Sequence, residues 1–330
     1  MEESIEESIK ETDAYNPCRL CPRDCGINRE ERPGVCGERT TLRLARAALH
    51  FWEEPCISGR GGSGTVFFTG CNLGCVFCQN RDISQKPAGS GDSRDSGIVK
   101  QGMTGPKGKE ISPERLTEIF FSLEAQGAHN INLVTGDHFL PTIRQAVEEA
   151  KRQGIGIPFL LNTSSYLKVD TLKRMEGLID IYLPDFKYIR DREAIRYSRA
   201  PGYPEAAKAA VAEMVRQQPE CIFSPDGEIL QRGVVVRHLL LPGQLIQAKL
   251  IVRYLWETYG DRIYISLLSQ YTPDREVLKD HFPEICRTLT GREYKSLVDY
   301  AAELGITKAF VQKEGAADES FIPLFDGTGL

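Results

Sequence analysis

The chain has 330 residues, 41% of them hydrophobic, and carries 41 Lys and Arg against 46 Asp and Glu, for a net charge of −5. That apolar content fills a sizeable core and excludes wholesale disorder, while the mild acidity gives no reason to expect nucleic acid as the main partner. No apolar run reaches the roughly 18–20 residues of a spanning helix, and the acidic start Met1-Glu2-Glu3-Ser4 does not resemble a secretory signal, so a cytoplasmic protein with no membrane partner is expected.

Residues 1–16 read as a solvated, partly helical tail. Residues 17–58 hold five of the ten cysteines among many Arg, Pro and Gly. Residues 1–58 are therefore taken as an N-terminal cysteine-rich extension and residues 59–330 as the main domain. From residue 64 onward, short runs rich in β-branched and aromatic residues suit buried parallel strands. They are Thr65–Gly70, Asn130–Thr135, Pro158–Thr163, Asp180–Lys187, Val234–Pro242 and Tyr264–Gln270. Helical patterns such as Pro113–Ala128, Leu140–Gly154 and Pro204–Gln218 lie between them. Repeated strand–helix units predict an α/β fold with a parallel sheet and right-handed crossovers. About six units fit a partial (β/α)6 TIM-like barrel; an open doubly wound sheet is the competing arrangement. Residues 85–111, with six Gly and no periodicity, predict a surface loop, either a lid over a site or a solvated insertion.

Eight cysteines lie between Cys18 and Cys78. In a reducing compartment, clustered thiols indicate metal sites and not disulfides. The tightest cluster is Gly70-Cys71-Asn72-Leu73-Gly74-Cys75-Val76-Phe77-Cys78, directly after the first parallel strand. Loops at the carboxyl ends of strands build active sites in α/β folds. Gly70 and Gly74 let the backbone curl around a bulky inorganic group. Three thiolates suit an iron–sulfur cube with one iron left open, whereas structural zinc asks for four ligands.

This stretch resembles the radical S-adenosylmethionine (SAM) enzymes, whose hallmark is Cys-x3-Cys-x-aromatic-Cys on that loop of a partial barrel; Cys71, Cys75, Phe77 and Cys78 match it. The resemblance implies a [4Fe–4S] cluster whose open iron binds SAM. It also implies one-electron cleavage of SAM to a 5′-deoxyadenosyl radical and hydrogen abstraction from a substrate. With Asn130-Ile131-Asn132-Leu133-Val134-Thr135, Asn162-Thr163-Ser164 and Asp180–Lys187, the chain is similar to a group related to pyruvate formate-lyase activating enzyme. Activating enzymes carry Asp-x-Lys at a middle strand end, matched by Asp185 and Lys187, and an Arg before a Val-Pro-Gly-like strand end, matched loosely by Arg237 and Leu241-Pro242-Gly243. On that resemblance Thr135, Gly136 and Asp137 stand where many relatives bind the SAM ammonium with Gly-Gly-Glu. Asn162 and Ser164 would hold the ribose, Lys187 and Arg237 the methionine carboxylate, and Phe77 would pack near the adenine. Read singly, Asn162 and Ser164 are also ordinary turn residues, and Asp185 with Lys187 an ordinary surface pair. His238 reads as a core histidine and His138 as a helix N-terminal residue. Gln270-Tyr271-Thr272 replaces the Tyr-His pair common in activases.

Cys18, Cys21, Cys25 and Cys36 form a second group, Cys-x2-Cys-x3-Cys-x10-Cys, which suits a second iron–sulfur cluster or zinc. Cys56, Cys221 and Cys286 read as lone structural thiols. Gly59, Gly61 and Gly64 satisfy a dinucleotide-loop pattern but precede a strand, which excludes that role. The leading expectation is a radical SAM enzyme of the activating type, with flavodoxin or ferredoxin as electron donor and a glycyl-radical protein as possible substrate. The alternatives are radical modification of another peptide or a small molecule, and a non-catalytic metal-binding protein.

Overall fold

The computed structural model describes residues 14–84, 108–312 and 323–330. Its strands are β1 (Leu42–His50), β2 (Ser63–Phe68), β3 (Lys109–Ile111), β4 (Ile131–Val134), β5 (Phe159–Thr163), β6 (Ile181–Pro184), β7 (Ile222–Phe223), β8 (Leu230–Leu239), β9 (Tyr264–Leu268) and β10 (Ala309–Val311). Every residue of β2, β4 and β6 is buried, as expected of parallel strands covered on both faces.

Strand order distinguishes the two expected folds. Neighbours run β3-β1-β2-β4-β5-β6-β8-β9-β10, with β7 beside β8. From β2 to β10 each pairing along this path is parallel, and each strand joins the same edge. With right-handed crossovers, all connecting helices then fall on one face. A doubly wound sheet reverses its direction of growth part-way; this one does not, so the α/β fold is an open, partial TIM-like barrel. The six expected strands are all present. A seventh, the three-residue β10, extends the parallel edge, and β1 and β3 add antiparallel strands at the other. The expected loop 85–111 lies outside the described residues as far as 107, and its last residues form β3. The expected tail also lies outside them, up to residue 13.

The crossover helices carry local start and stop signals. Helix Pro113–Ala125 begins with Pro113 at its first position and Ser112 accepting the Arg115 N–H at 3.2 Å, a favourable cap. Helix Leu140–Arg152 buries Leu140, Ile143, Val147 and Ala150 and ends on Lys151 and Arg152. The apolar residues share one face, each large one contributing about 1.5–3 kcal/mol, and the two cations oppose the negative helix end. Among the described residues no helix is long and apolar enough to cross a membrane.

The cysteine-rich segment wraps onto the barrel at the carboxyl ends of β4 and β5. The Tyr15 and Thr142 hydroxyls meet at 2.8 Å, Thr171 donates to the Leu20 carbonyl at 2.8 Å, and Lys168 pairs with Asp24 at 2.8 Å. Arg29 anchors it. Fully buried, its guanidinium donates to the carbonyls of Glu38 (3.3 Å), His138 (2.6 Å) and Arg39, and lies over the Tyr15 ring at 4.6 Å. Further along the same expected extension, β1 enters the sheet itself. Residues 323–330 return to it: Ala47 N–H donates to the Thr328 carbonyl at 2.9 Å, and Phe325 packs edge-on against Phe67.

Replacing Arg29 with Met would leave the His138 and Arg39 carbonyls without this donor, at about 1–3 kcal/mol each where no water enters, while the Glu38 carbonyl keeps the Gly34 N–H at 2.9 Å. Arg29→Met should lower stability to urea by about 2 kcal/mol or more and open residues 14–38 to limited proteolysis; an unchanged digestion pattern would contradict this anchoring.

Candidate active site

Beyond β2 the chain turns through Gly70, whose φ of +76° lies in the left-handed region. A Cβ there would come within 2.7 Å of the Cys36 carbonyl and 2.5 Å of Glu38 Cγ, so only glycine fits. The next residue completes the contact: Cys71 N–H donates to the Cys36 carbonyl at 3.0 Å. On the opposite side, Gly74 N–H donates to the Ser198 carbonyl at 3.1 Å and Val76 N–H to the Tyr197 carbonyl at 2.9 Å. Leu73 and Val76 turn into the core. The loop is thus fixed from both flanks, and Cys71, Cys75 and Cys78 line one cavity of about 250 Å³.

Of the other expected contacts, Phe77, Thr135, Asn162, Ser164, Asp185, Lys187 and Arg237 line the same cavity. Thr135 has φ +58°, a strained value for a β-branched residue of the kind that clusters at functional sites. Gly136 and Asp137 do not line it. Asp137 is fully buried behind the wall and accepts from the hydroxyls of Thr163 (2.9 Å) and Ser164 (3.4 Å), while its Oδ1 has no partner among the described residues. Burial pushes its carboxyl up to about 7, against the opposing pull of those hydroxyls. Asp137 therefore reaches the cavity through Thr163 and Ser164.

The two expected cations differ. Lys187 Nζ lies 2.5 Å from Asp185 Oδ2. Burial pulls its ammonium down, but the charges of Asp185 and Cys75 outweigh burial and the net direction is upward. Arg237 is already engaged within the chain: its Nε and Nη2 meet Glu54 at 2.9 and 2.5 Å, and Nη2 also contacts Glu53. Lys187 is thus the cation placed nearer the thiols. His238 is buried with Nδ1 2.8 Å from the Phe186 carbonyl, and His138 Nε2 meets the Thr69 carbonyl at 2.8 Å.

Several contributors carry no motif. Glu53 and Glu54 follow β1 and show in the sequence only as a pair of carboxylates. Asn72, between two cysteines, donates to the Tyr166 carbonyl at 2.8 Å, and its own carbonyl accepts from Arg23 Nε at 2.7 Å. Tyr203 hydroxyl accepts the Lys187 N–H and faces the Ser164 and Asp185 carbonyls, each at 2.9 Å. Ser198 hydroxyl donates to Cys75 Sγ at 2.9 Å. Tyr271, where activases often carry the Tyr of a Tyr-His pair, is buried and donates to the Ile285 carbonyl at 2.7 Å.

The donor set fits an iron–sulfur group. Burial pushes the Cys71 thiol far up, and the neighbouring Cys75 and Cys78 raise it further; burial likewise carries Cys75 to about 11. Cys71 and Cys75, desolvated and close to one another, need a positive metal to shed their protons. Among the described residues no three His, Cys, Asp or Glu side chains converge closely enough for a single ion. Three thiolates on one loop suit a polynuclear iron–sulfur group.

Residues 65–255, more than half of the chain, match the Radical SAM superfamily. The chain belongs to the radical SAM superfamily. It is therefore a radical SAM enzyme, and the family implies a [4Fe–4S] cluster and SAM. An uncharacterized protein of Methanocaldococcus jannaschii is 26% identical over 292 residues, covering 88% of this chain and 76% of that protein. A domain of pyruvate-formate lyase-activating enzyme from Bacteroides vulgatus is 14% identical with a TM-score of 0.37, covering 61% of this chain and 94% of that one. Streptococcus suis SuiB bound to S-adenosylmethionine is 11% identical with a TM-score of 0.44; the match covers 74% of this chain and about half, 48%, of SuiB.

Asp137 makes the radical SAM fold pH-sensitive. Its folded carboxyl titrates near 7 and its unfolded one near 3.8, so the folded state binds more protons in between and loses stability as pH rises through that window. Urea titrations of metal-free protein should show Asp137→Asn gaining on wild type between pH 4 and pH 7, by up to about 4 kcal/mol. A pH-independent difference would mean that the carboxylate is solvated.

Proposed function

We propose that Cys71, Cys75 and Cys78 hold the [4Fe–4S] cluster and that SAM binds in the cavity they line. The carrying observation is that three thiols and the strand-end residues Asn162, Ser164, Asp185 and Lys187 share one cavity. Bound together there, the cluster would supply one electron and SAM the sulfonium bond to be cleaved by it. The chain's own residues have complementary work. Lys187 faces a carboxylate, Asn162 and Ser164 offer hydroxyl-matching polar groups, and Asp137 holds Ser164 and Thr163 in place. Phe77, edge-on to Tyr271 at 6.1 Å between ring centres, gives the cavity an apolar wall that excludes water.

The reaction is hydrogen abstraction from a protein or peptide partner in the manner of an activating enzyme, with the electron delivered by a flavodoxin- or ferredoxin-type donor. Trp52, which lines the cavity and is 60% exposed, presents an aromatic surface suited to a polypeptide. A second reading, radical modification of another peptide or a small molecule, is favoured by Tyr271, whose hydroxyl is turned into the core and engaged with Ile285. Anaerobically reconstituted protein, given SAM and a low-potential reductant, should release 5′-deoxyadenosine, and Cys75→Ser should release none above background. Undiminished release by that variant would remove Cys75 from the ligand set.

Cys18, Cys21, Cys25 and Cys36 are proposed to hold a second centre. All four are free thiols. A hydrogen bond from Cys18 holds Cys25 well below the usual thiol range, while burial raises Cys21 to about 11. The four thiols act on one another, Cys18 with Cys25 and Cys21 with Cys25 and Cys36, and such a set suits an iron–sulfur unit or zinc. Metal and sulfide analysis of a Cys18→Ser/Cys21→Ser variant should show the N-terminal share lost and the share held by Cys71, Cys75 and Cys78 retained. Equal metal content in variant and wild type would leave the N-terminal thiols without a metal.

A further inference from the structure

Cys75 stands at the end of a hydroxyl chain that the other two loop cysteines lack. Ser198 Oγ is 2.9 Å from Cys75 Sγ and 2.7 Å from the Tyr188 hydroxyl, and both residues are buried. A serine hydroxyl has one hydrogen, and a thiolate can only accept. With Cys75 as a thiolate, Ser198 must donate to sulfur and Tyr188 must donate to Ser198. The direction of the chain is thereby fixed as Tyr188 to Ser198 to Cys75, and aligned hydrogen bonds of this kind reinforce one another.

The geometry is held by backbone. Ser198 closes helix Asp191–Ser198, followed by Arg199 at φ +51°. Its carbonyl accepts from Gly74 N–H at 3.1 Å and from Arg23 at 3.4 Å. The same guanidinium donates to the Asn72 carbonyl at 2.7 Å. With the Tyr197 carbonyl accepting from Val76 N–H at 2.9 Å, these contacts clamp the end of the helix to the residues on both sides of Cys75, so the Ser198 hydroxyl has little freedom to leave the sulfur. By contrast, Cys71 Sγ receives the Leu73 N–H at 3.4 Å and Cys78 Sγ meets the Ser84 hydroxyl at 3.2 Å.

We propose that Tyr188 and Ser198 are positioning residues that raise the reduction potential of the group held by Cys71, Cys75 and Cys78. This rests on those three cysteines being its ligands. Reduction adds one electron, supplied by a ferredoxin- or flavodoxin-class donor, and breaks no bond. Part of the added negative charge falls on the thiolate sulfurs, and a hydrogen bond to sulfur stabilises the reduced form more than the oxidised form. Removing the donor makes the potential more negative.

The test is an anaerobic redox titration of the reconstituted full-length protein, followed by electron paramagnetic resonance, with the catalytic signal identified by its change on adding SAM. Ser198→Ala should weaken reduction roughly tenfold, a fall of about 59 mV for a one-electron couple. Tyr188→Phe keeps the O–H to sulfur but removes its upstream donor, so it should give a smaller shift of the same sign. A purely structural role would lower iron content and leave the potential of the loaded fraction in place. Loaded variants at the wild-type potential would overturn the inference; if Ser198→Ala takes up no iron, the sign of the Tyr188→Phe shift decides. A wild type with no SAM-responsive signal would instead sink the ligand assignment, and this inference with it.

Discussion

Three thiols on an eight-residue loop, Cys71 and Cys75 desolvated by burial and all three close enough to repel as anions, form the constraint to which the rest of the site answers. A loop under that repulsion cannot hold its own shape. It is gripped on one flank by the Cys36 carbonyl, which occupies the space a Gly70 side chain would need, and on the other by the Tyr197 and Ser198 carbonyls. The first grip comes from the N-terminal segment and the second from the end of a helix far along the chain. The cysteines are local in sequence, but their geometry is a product of tertiary structure.

Charge is arranged on the same scale. Two cations in the cavity, Lys187 and Arg237, face three carboxylates, Asp185, Glu53 and Glu54. Arg237 is largely consumed in holding the loop after β1 against β8, so its contribution is to the shape of the wall. Lys187 stays close to the thiols and remains charged despite burial, because Asp185 and Cys75 outweigh desolvation. The resulting negative excess suits a positively charged sulfonium better than an anion.

Much of this was legible in the sequence because it depends on spacing. The six strands appear as continuous apolar runs since parallel strands are buried on both faces, while strand order, which separates the partial barrel from a doubly wound sheet, comes only from the packed structure. Cys71, Cys75 and Cys78 share a loop, so their pattern survives in one dimension, as do the strand-end residues Asn162, Asp185 and Lys187. β1 and β10 escaped notice for different reasons. β1 sits among Arg and Cys with mixed burial, and β10 is a three-residue edge strand with no buried side chain. Arg23, Glu53 and Ser198 have no pattern, because each acts on residues over a hundred positions away in sequence, and Tyr203 bridges three strand-end residues that no motif links to it. Asp137 was found by its place after a strand, yet its burial behind Thr163 could only come from the packed structure.

The long reach of Arg23 also bears on the order of events during synthesis. Its partners Ser198 and Arg199 leave the ribosome long after the three loop thiols do. A nascent chain short of that helix carries reactive sulfurs with only half their framework. The framework around Cys71, Cys75 and Cys78 is thus complete only once most of the barrel has emerged and closed on the early segment.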